Sequence, residues 1–136
     1  MKKIIEVAAA VIVDESQRIL VCERPAGKNS AGKWEFPGGK LEAGETPAAA
    51  LQRELAEELA MQVRILSMMY QLQKVLPDGR LLRLYFLRAQ KLPESDPQSC
   101  ENQRFRWAEA NELQQIDWLE TDREFVNFLA GSITAG

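Results

Sequence analysis

The chain has 136 residues, of which 46% are apolar and 27% are charged, and its net charge is −3. This length suits one compact domain and is too short for two, so we expect a single domain over residues 1–136 that acts as a monomer. The composition is that of a globular protein, the charge argues against binding to nucleic acid, and no apolar run approaches the roughly 20 residues that span a membrane.

Histidine is absent from the chain, and the two cysteines fit no metal-binding spacing. Without histidine, the chain cannot carry a Ser-His-Asp or Cys-His mechanism or one of the usual zinc sites. Two cysteines, Cys22 and Cys100, in a chain of this size indicate a reducing compartment, so we expect a cytoplasmic protein.

The first half of the chain predicts two strands and a helix. Its start, "MKKIIEVAAAVIVDE", has the basic tip and apolar stretch of a signal peptide, but the apolar run is rich in β-branched residues and continues into acidic ones, so we favour a strand. Thr46 is a good N-cap, and Pro47 suits the first position of a helix. The predicted elements are strands over 7–13 and 19–22, a flexible loop, an extended piece over 34–36 and a helix that begins after Thr46.

The second half predicts a hairpin, a long loop, a last strand and two short helices. "LPDGR" contains the strong turn signal Asp-Gly between two apolar runs, over 63–75 and 81–88. The polar loop "KLPESDPQSCENQ" precedes the strand "RFRWAE", and the helices are predicted over 111–115 and 122–129. Strands alternating with helices in this order predict an α/β fold in which a mixed sheet lies between helices.

The predicted helix after Thr46 concentrates acidic residues on one side. At about 100° per residue, four apolar positions form a narrow stripe that must face the core, and Glu54, Glu57 and Glu58 project from one flank of that stripe. The stripe consists of Ala48, Leu51, Leu55 and Leu59. Carboxylates at the edge of a core suit Mg²⁺ or Mn²⁺, although a solvated acidic face would explain "RELAEEL" alone equally well.

The residues before this helix favour the metal site. From Gly39, the chain has five residues, Glu45, seven residues and then "RELAEE". This spacing resembles the signature box of the Nudix hydrolases and meets all but one of its defining positions. The segment "ERPAGKNSAGKWEFPGGK" is similar to the approach to that box in the small MutT-type branch. The resemblance implies an α/β/α Nudix fold and Mg²⁺-dependent cleavage of a nucleoside diphosphate linked to a further group.

One position departs from the pattern, because the chain has Ala60 where the family usually has glycine. That glycine closes the helix in a left-handed conformation, which costs another residue about 1–2 kcal/mol. Either the helix continues beyond Ala60 or the chain tolerates the strain.

The resemblance also implies how the metal and the attacking water are held. Glu54, Glu57 and Glu58 are the expected metal ligands, and the main-chain carbonyl of Gly38 could add another oxygen. Glu58 could serve as the general base. In MutT-type enzymes, however, a glutamate on the loop before the last strand fills a place in the metal and water site, and Glu101 is at the matching position. We favour Glu101 over its loop neighbours, which include Glu94 and Asp96.

Basic residues around the box are expected to meet the substrate phosphates. Lys40 is a candidate phosphate clamp. Arg53 more plausibly orients the glutamates, or forms a plain surface ion pair. Arg24 matches a position where MutT-type enzymes place an arginine on the phosphates; the alternative is an exposed residue after a strand.

Recognition of the nucleobase is the least determined part of the site. Trp34 and the adjacent Glu35 are expected to contact the substrate, although core packing explains most of the aromatic residues near the box. Asp122 is at the start of the final helix, where MutT-type enzymes set a polar side chain against the purine edge, but a helix N-terminus also favours a carboxylate.

Three functions follow from these expectations. The first is hydrolysis of 8-oxo-dGTP and other oxidised nucleotides to the monophosphate and pyrophosphate, which cleans the nucleotide pool. The second is pyrophosphohydrolysis of CTP, dCTP or another pyrimidine nucleoside triphosphate. The third is a Nudix domain that senses nucleotide without cleaving it, against which the complete set of glutamates argues.

Overall fold

The computed structural model describes residues 3–135; Met1, Lys2 and Gly136, which belong to the predicted domain, lie outside this range. Its elements in chain order are β1 (Ile4–Val13), β2 (Ile19–Glu23), β3 (Trp34–Glu35), β4 (Gly38–Lys40), α1 (Pro47–Leu59), β5 (Val63–Val75), β6 (Leu81–Lys91), β7 (Arg104–Ala108), a 3₁₀ helix (Ala110–Gln115) and α2 (Glu120–Ala135). Within these residues, neither α-helix has the length and apolar character needed to traverse a bilayer.

The strands of residues 3–135 form one mixed sheet. The main path runs β3-β2-β1-β6-β5, while β4 pairs with β1 and β7 pairs with β2. Strands β1 and β6 are parallel, from Ile4 opposite Leu81 to Val13 opposite Gln90, and the other pairs are antiparallel. Since β1 lies at the centre, both of its faces must be covered, which explains its nearly continuous apolar sequence.

Alternate residues of β1 belong to two different hydrophobic clusters. Ala8 and Ala10 face the cluster that includes Leu51, Leu55 and Leu59 of α1. Ala9 and Val11 face the other cluster, which includes Phe125 and Val126 of α2. Successive side chains of a strand point to opposite faces of its sheet, so helices cover both faces. This confirms the predicted sheet between helices.

Aromatic rings fill the cluster beneath α2. The rings of Phe86 and Phe125 stack with centroids 4.1 Å apart, and Phe36 stacks on Trp118 at 4.6 Å. Phe36 and Phe86 are almost completely buried. These two rings therefore pack the core, as expected for most of the aromatic residues near the box.

Helix α1 begins as predicted. The Thr46 hydroxyl accepts a hydrogen bond from the Ala49 N–H at 3.1 Å, and Pro47 occupies the first helical position. At the other end, Ala60 adopts the left-handed conformation with φ of 53° and donates its N–H to the Ala56 carbonyl at 3.1 Å. The helix ends at Leu59, so the chain tolerates an alanine where the family usually has glycine.

Several predicted elements differ in extent from the observed ones. The hairpin of β5 and β6 is confirmed, but β1 begins at Ile4 and β6 continues to Lys91, because the two strands pair along their whole lengths. Helix α2 is longer than predicted, and the preceding short helix is a 3₁₀ helix. Strand β4 was not among the predicted elements.

Ala60→Gly is expected to raise the free energy of unfolding by about 1 kcal/mol, because glycine adopts positive φ without the penalty imposed by a Cβ. Urea unfolding followed by circular dichroism measures the change. Ala56→Gly, at an exposed position inside the same helix, is the matched control and should lower the stability by about 1 kcal/mol. Equal losses in both variants would show that Ala60 is not strained in solution.

Candidate active site

A cavity of about 310 Å³ lies beside β4 and is lined by two chemically different groups of residues. The first group is mainly apolar, comes from β1, β6 and the start of α2, and consists of Val7, Ala9, Leu82, Leu84, Leu119, Thr121 and Asp122. The second group is mainly polar or charged and includes Arg24, Lys28, Glu35, Glu58, Glu101 and Gln103. The segment from Phe36 to Lys40 also lines the cavity, so β4 borders both groups.

Two glycines allow β4 to lie against both β1 and α1. A Cβ on Gly38 would overlap the main-chain carbonyl of Ala8, and a Cβ on Gly39 would overlap the carboxyl group of Glu54. No side chain fits at either position without displacing its neighbour. The pair of glycines in the signature box therefore brings the main chain beside the acidic flank of the helix.

Arg53 supplies the positive charge that the acidic helix requires. Its Nε and Nη2 donate to the two carboxylate oxygens of Glu45 at 2.8 and 2.9 Å, and its Nη1 donates to Glu54 at 2.8 Å. Nη1 also lies 3.4 Å from Glu57, and Nη2 donates to the Lys40 carbonyl at 3.0 Å. Hydrogen bonds from Arg53, together with one from the main chain, lower the pKa of Glu45 to about 2. Arg53 itself does not line the cavity.

Glu58 is on the cavity side of α1, where no arginine neutralises it. Burial, a hydrogen bond with Glu54 and the negative charges of Glu54, Glu101 and Glu35 raise the pKa of Glu58 well above its usual range. Glu57 differs, because its side chain is 55% exposed and faces Arg53. The carboxylates around Glu58 are therefore a concentration of negative charge and hard oxygen atoms, which suits a divalent cation.

The side chains do not already form a complete coordination shell. Within residues 3–135, no three Asp, Glu or Cys side chains are close enough together to hold an ion as they stand. Glu58, Glu101 and Gly38 of the predicted ligands line the cavity, whereas Glu54 and Glu57 lie beside Arg53 and are not part of the lining. The donor chemistry fits a divalent metal, and binding would require these glutamates to turn toward it.

The loop over 92–103 brings Glu101, but neither Glu94 nor Asp96, to the cavity. The N–H of Gln98 donates to the Leu59 carbonyl at 2.8 Å, and the N–H of Cys100 donates to the Glu58 carbonyl at 3.0 Å, so the loop is attached to the end of α1. Asp96 instead pairs with Lys91 at 3.1 Å. Glu94 lines a separate surface depression.

Three basic side chains lie at the charged side of the cavity. Arg24 is half-buried, donates from Nε to the Asn29 carbonyl at 2.7 Å, and directs Nη1 to both oxygens of Glu35 at 3.4 Å. Lys40 and Lys28 also line the cavity. Lys28 was not anticipated, although its place in the loop after Arg24 was a usable signal.

Asp122 also lines the cavity and is almost completely buried. Its Oδ2 accepts the Phe36 N–H at 3.0 Å, and its Oδ1 accepts the Thr121 hydroxyl at 3.3 Å. Burial, despite these hydrogen bonds, raises the pKa of Asp122 to about 7. The carboxyl group therefore retains its proton in mildly acidic solution and is partly protonated at neutral pH.

Trp34, which we expected to contact the substrate, does not line the cavity. Its ring packs against the aromatic cluster and faces the Arg106 guanidinium at 5.6 Å. Its main chain is tied to the start of α2, because the Leu119 N–H donates to the Trp34 carbonyl at 2.9 Å. Glu35, the next residue, does line the cavity, because successive side chains of a strand point to opposite faces.

Fold and site together define an α/β protein with a carboxylate-rich centre beside a cavity, and comparison with known proteins gives its family. The NUDIX domain model matches residues 3–129. A putative 8-oxo-dGTP diphosphatase 2 from Mycobacterium tuberculosis is 37% identical over 131 residues, covering 95% of this chain and 89% of that protein. A CTP pyrophosphohydrolase from Escherichia coli is 36% identical over 122 residues, covering 88% and 87% of the two chains.

The solved structures agree with this assignment. The solution structure of the E. coli ORF135 protein has a TM-score of 0.80 and 33% sequence identity, covering 95% of this chain and 91% of that one. The chain belongs to the Nudix hydrolase family, and the predicted Nudix fold is confirmed. Nudix hydrolases generally depend on a divalent metal ion.

Asp122→Asn is expected to change how stability depends on pH. The folded-state pKa of Asp122 is raised to about 7, so its contribution to stability is complete below its unfolded pKa and is lost as the pH rises through the folded one. Relative to Asp122→Asn, the wild-type protein should therefore lose stability between about pH 5 and pH 7, by at most about 1.4 kcal/mol per pH unit. Urea unfolding at several pH values measures the difference.

Asp14→Asn is the control for this experiment. Burial acts to raise the pKa of Asp14, but N–H donors of Arg18 and Ser16 and the Arg18 charge outweigh it and lower the pKa. Asp14 is then ionised in both the folded and the unfolded protein between about pH 5 and pH 7. The difference in stability between Asp14→Asn and the wild-type protein should therefore not vary with pH. A pH-independent difference for Asp122→Asn as well would contradict the raised pKa.

Proposed function

We propose that the protein hydrolyses nucleoside triphosphates to the monophosphate and pyrophosphate with Mg²⁺, and that 8-oxo-dGTP is its preferred substrate. The observation that carries the proposal is one cavity whose lining combines apolar residues and a buried carboxyl group with glutamates and basic residues. A nucleobase suits the apolar residues, and a triphosphate with its metal suits the charged ones. The Mycobacterium relative named as an 8-oxo-dGTP diphosphatase supports this choice of substrate.

The charged side provides the groups that pyrophosphate hydrolysis needs. Arg24, Lys28 and Lys40 can neutralise the phosphate oxygens and keep the triphosphate chain in one orientation. Glu54, Glu57 and Glu58, with the Gly38 carbonyl, would hold Mg²⁺ or Mn²⁺. When bound, the ion would neutralise charge on the phosphates and make a coordinated water easier to deprotonate.

The attacking water also needs a base. Glu101 is our candidate, because its loop is hydrogen-bonded to the end of α1 and the residue lines the cavity beside Glu58. Its carboxylate would accept the proton from the water as the water oxygen bonds to phosphorus and the phosphoanhydride bond between the monophosphate and the pyrophosphate breaks. Glu58 is the alternative base. Arg53 would act through the glutamates by restricting their orientations.

Asp122 is the candidate for recognition of the base. One of its oxygens is already engaged with the Phe36 N–H. A protonated carboxyl group can donate a hydrogen bond as well as accept one, which suits an oxidised base with an altered pattern of donors and acceptors. Because the group is buried, a base that pairs with it poorly would leave polar atoms unsatisfied.

A pyrimidine triphosphate is the second candidate substrate. The E. coli relative that is named a CTP pyrophosphohydrolase covers nearly the same share of the chain as the 8-oxo-dGTP diphosphatase relative. A donor and acceptor at Asp122 could pair with the edge of cytosine too. Only a direct comparison of substrates separates these possibilities.

Pyrophosphate release with Mg²⁺ from a panel of nucleotides tests the proposal. We expect kcat/KM for 8-oxo-dGTP to exceed that for dGTP and dCTP by at least about tenfold, equivalent to about 1.4 kcal/mol. A preference for CTP or dCTP would instead establish the pyrimidine candidate. Nucleotide binding by calorimetry without turnover of any substrate would identify a sensor.

Removal of the metal ion, and substitution of the glutamates proposed to bind it, test whether hydrolysis depends on a metal at this site. EDTA should abolish turnover, and added Mg²⁺ or Mn²⁺ should restore it. Glu57→Gln and Glu58→Gln should each lower kcat at least about a hundredfold while the protein stays folded. Glu94→Gln, on the same loop as Glu101 but outside the cavity, should leave kcat unchanged. Near-normal turnover in the Glu57 or Glu58 variant would remove that residue from the metal site.

Asp122→Ala tests recognition of the base. Loss of a buried hydrogen-bonding partner typically costs about 1–3 kcal/mol, so kcat/KM for the preferred triphosphate should fall roughly tenfold to a hundredfold. Poor substrates should be nearly unaffected, because their phosphates meet the same charged groups. An equal fall for all substrates would mean that Asp122 supports the structure and does not select the base.

A further inference from the structure

Gln103 is a buried polar residue at the junction between the loop that carries Glu101 and strand β7. Its side chain lines the cavity, although nothing in the sequence marked it as functional. A buried amide must satisfy both its donor and its acceptor. Its partners therefore show what it holds in place.

The amide of Gln103 connects the main chains of the two glutamates that flank the proposed water site. Its Oε1 accepts the N–H of Glu101 at 3.1 Å, and its Nε2 donates to the main-chain carbonyl of Glu58 at 3.3 Å. Exchange of the amide oxygen and nitrogen would set donor against donor at Glu101 and acceptor against acceptor at Glu58. Only one orientation of the amide is compatible with both contacts.

Ser99 fixes the side chain from the other end of the same turn. Its hydroxyl group has one proton to donate and lies 2.6 Å from the main-chain carbonyl of Gln103 and 3.1 Å from Gln103 Oε1, so it donates to one of these oxygens at a time. Gln103 Oε1 therefore has two donors within reach, this hydroxyl group and the Glu101 N–H. The Glu58 carbonyl likewise accepts from two sides, because the Cys100 N–H also donates to it.

These contacts oppose an electrostatic repulsion. Glu58 and Glu101 are acidic residues that line the same cavity, so their carboxylates repel each other when both are ionised. The attachment consists of the Gln103 amide and the main-chain bonds from Gln98 and Cys100 to the end of α1.

We propose that Gln103 is a positioning residue that sets the distance between Glu58 and Glu101 by binding the main chain of both. The inference rests on the proposed function, in which these glutamates serve the metal and the water. Gln103 itself needs no contact with the substrate. Its effect would be on the rate of the chemical step, since a misplacement of about 1 Å can cost up to a hundredfold.

Gln103→Met tests the proposal, because methionine has similar length and volume but makes neither hydrogen bond. We expect kcat to fall roughly tenfold to a hundredfold with KM changed by less than about twofold. In a Glu101→Gln background, the same substitution should lower kcat by less than about threefold, because there is no longer a base to position. An equal fall in both backgrounds, or no fall in either, would overturn the proposal.

Gln98→Met is the matched control, since Gln98 is on the same loop and is exposed, and the loop contact at this position uses its main chain. It should leave kcat unchanged. If Gln103→Met does not fold, Ser99→Ala provides the test. It removes the Ser99 hydroxyl group that restrains the Gln103 amide, while the hydrogen bonds of Gln103 with Glu101 and Glu58 can still form. A kcat fall of about threefold or more that disappears in the Glu101→Gln background supports the proposal; additive or absent effects contradict it.

Amide hydrogen exchange separates this inference from the proposed function. Gln103→Met should increase the exchange rates of the Cys100 and Glu101 amides at least about tenfold relative to Gln98→Met, whether or not the protein is an active hydrolase. If exchange becomes faster in Gln103→Met but the wild-type protein hydrolyses no nucleotide, Gln103 still holds the loop and only the proposed function is wrong. Unchanged exchange would show that Gln103 does not hold the loop.

Discussion

The close approach of β4 to α1 is the contact on which the candidate site depends. Gly39 leaves room for the carboxyl group of Glu54, and Gly38 leaves room for the main chain of β1. The Arg53 guanidinium then spans the junction by donating to both Glu45 and the Lys40 carbonyl. Side chains at the two glycine positions would move the strand away from the helix and separate the acidic flank from the cavity.

Arg53 also divides the acidic residues into two electrostatic classes. Glu45, Glu54 and Glu57 share its positive charge. Glu58 is not paired with Arg53, and burial together with the negative charges of Glu54, Glu101 and Glu35 raises its pKa. The arrangement concentrates uncompensated negative charge at one place instead of distributing it along the helix. A cation that binds there relieves the repulsion between the carboxylates, and this relief adds to the free energy of binding.

Local signals in the sequence were sufficient for some of this structure and insufficient for the rest. The start of α1 was predicted from Thr46 and Pro47, because capping is a property of adjacent residues. Strand β4 was missed, since its three residues have no side-chain pattern and its pairing with β1 is distant in sequence. Gln103 was missed for a similar reason: its partners are set by docking of the loop on α1.

The parallel pairing at the centre of the sheet has a consequence for the order in which the protein can be assembled. Strand β1 is synthesised first, yet Ile4 pairs with Leu81 and Val13 with Gln90. Closing such a long loop costs entropy before any contact forms, which makes parallel pairing slow. During synthesis on a ribosome, the edge of β1 that pairs with β6 therefore stays unpaired with it until β6 has emerged. Both hydrophobic clusters include residues of β1 and β6, so neither can be completed until most of the chain has been made.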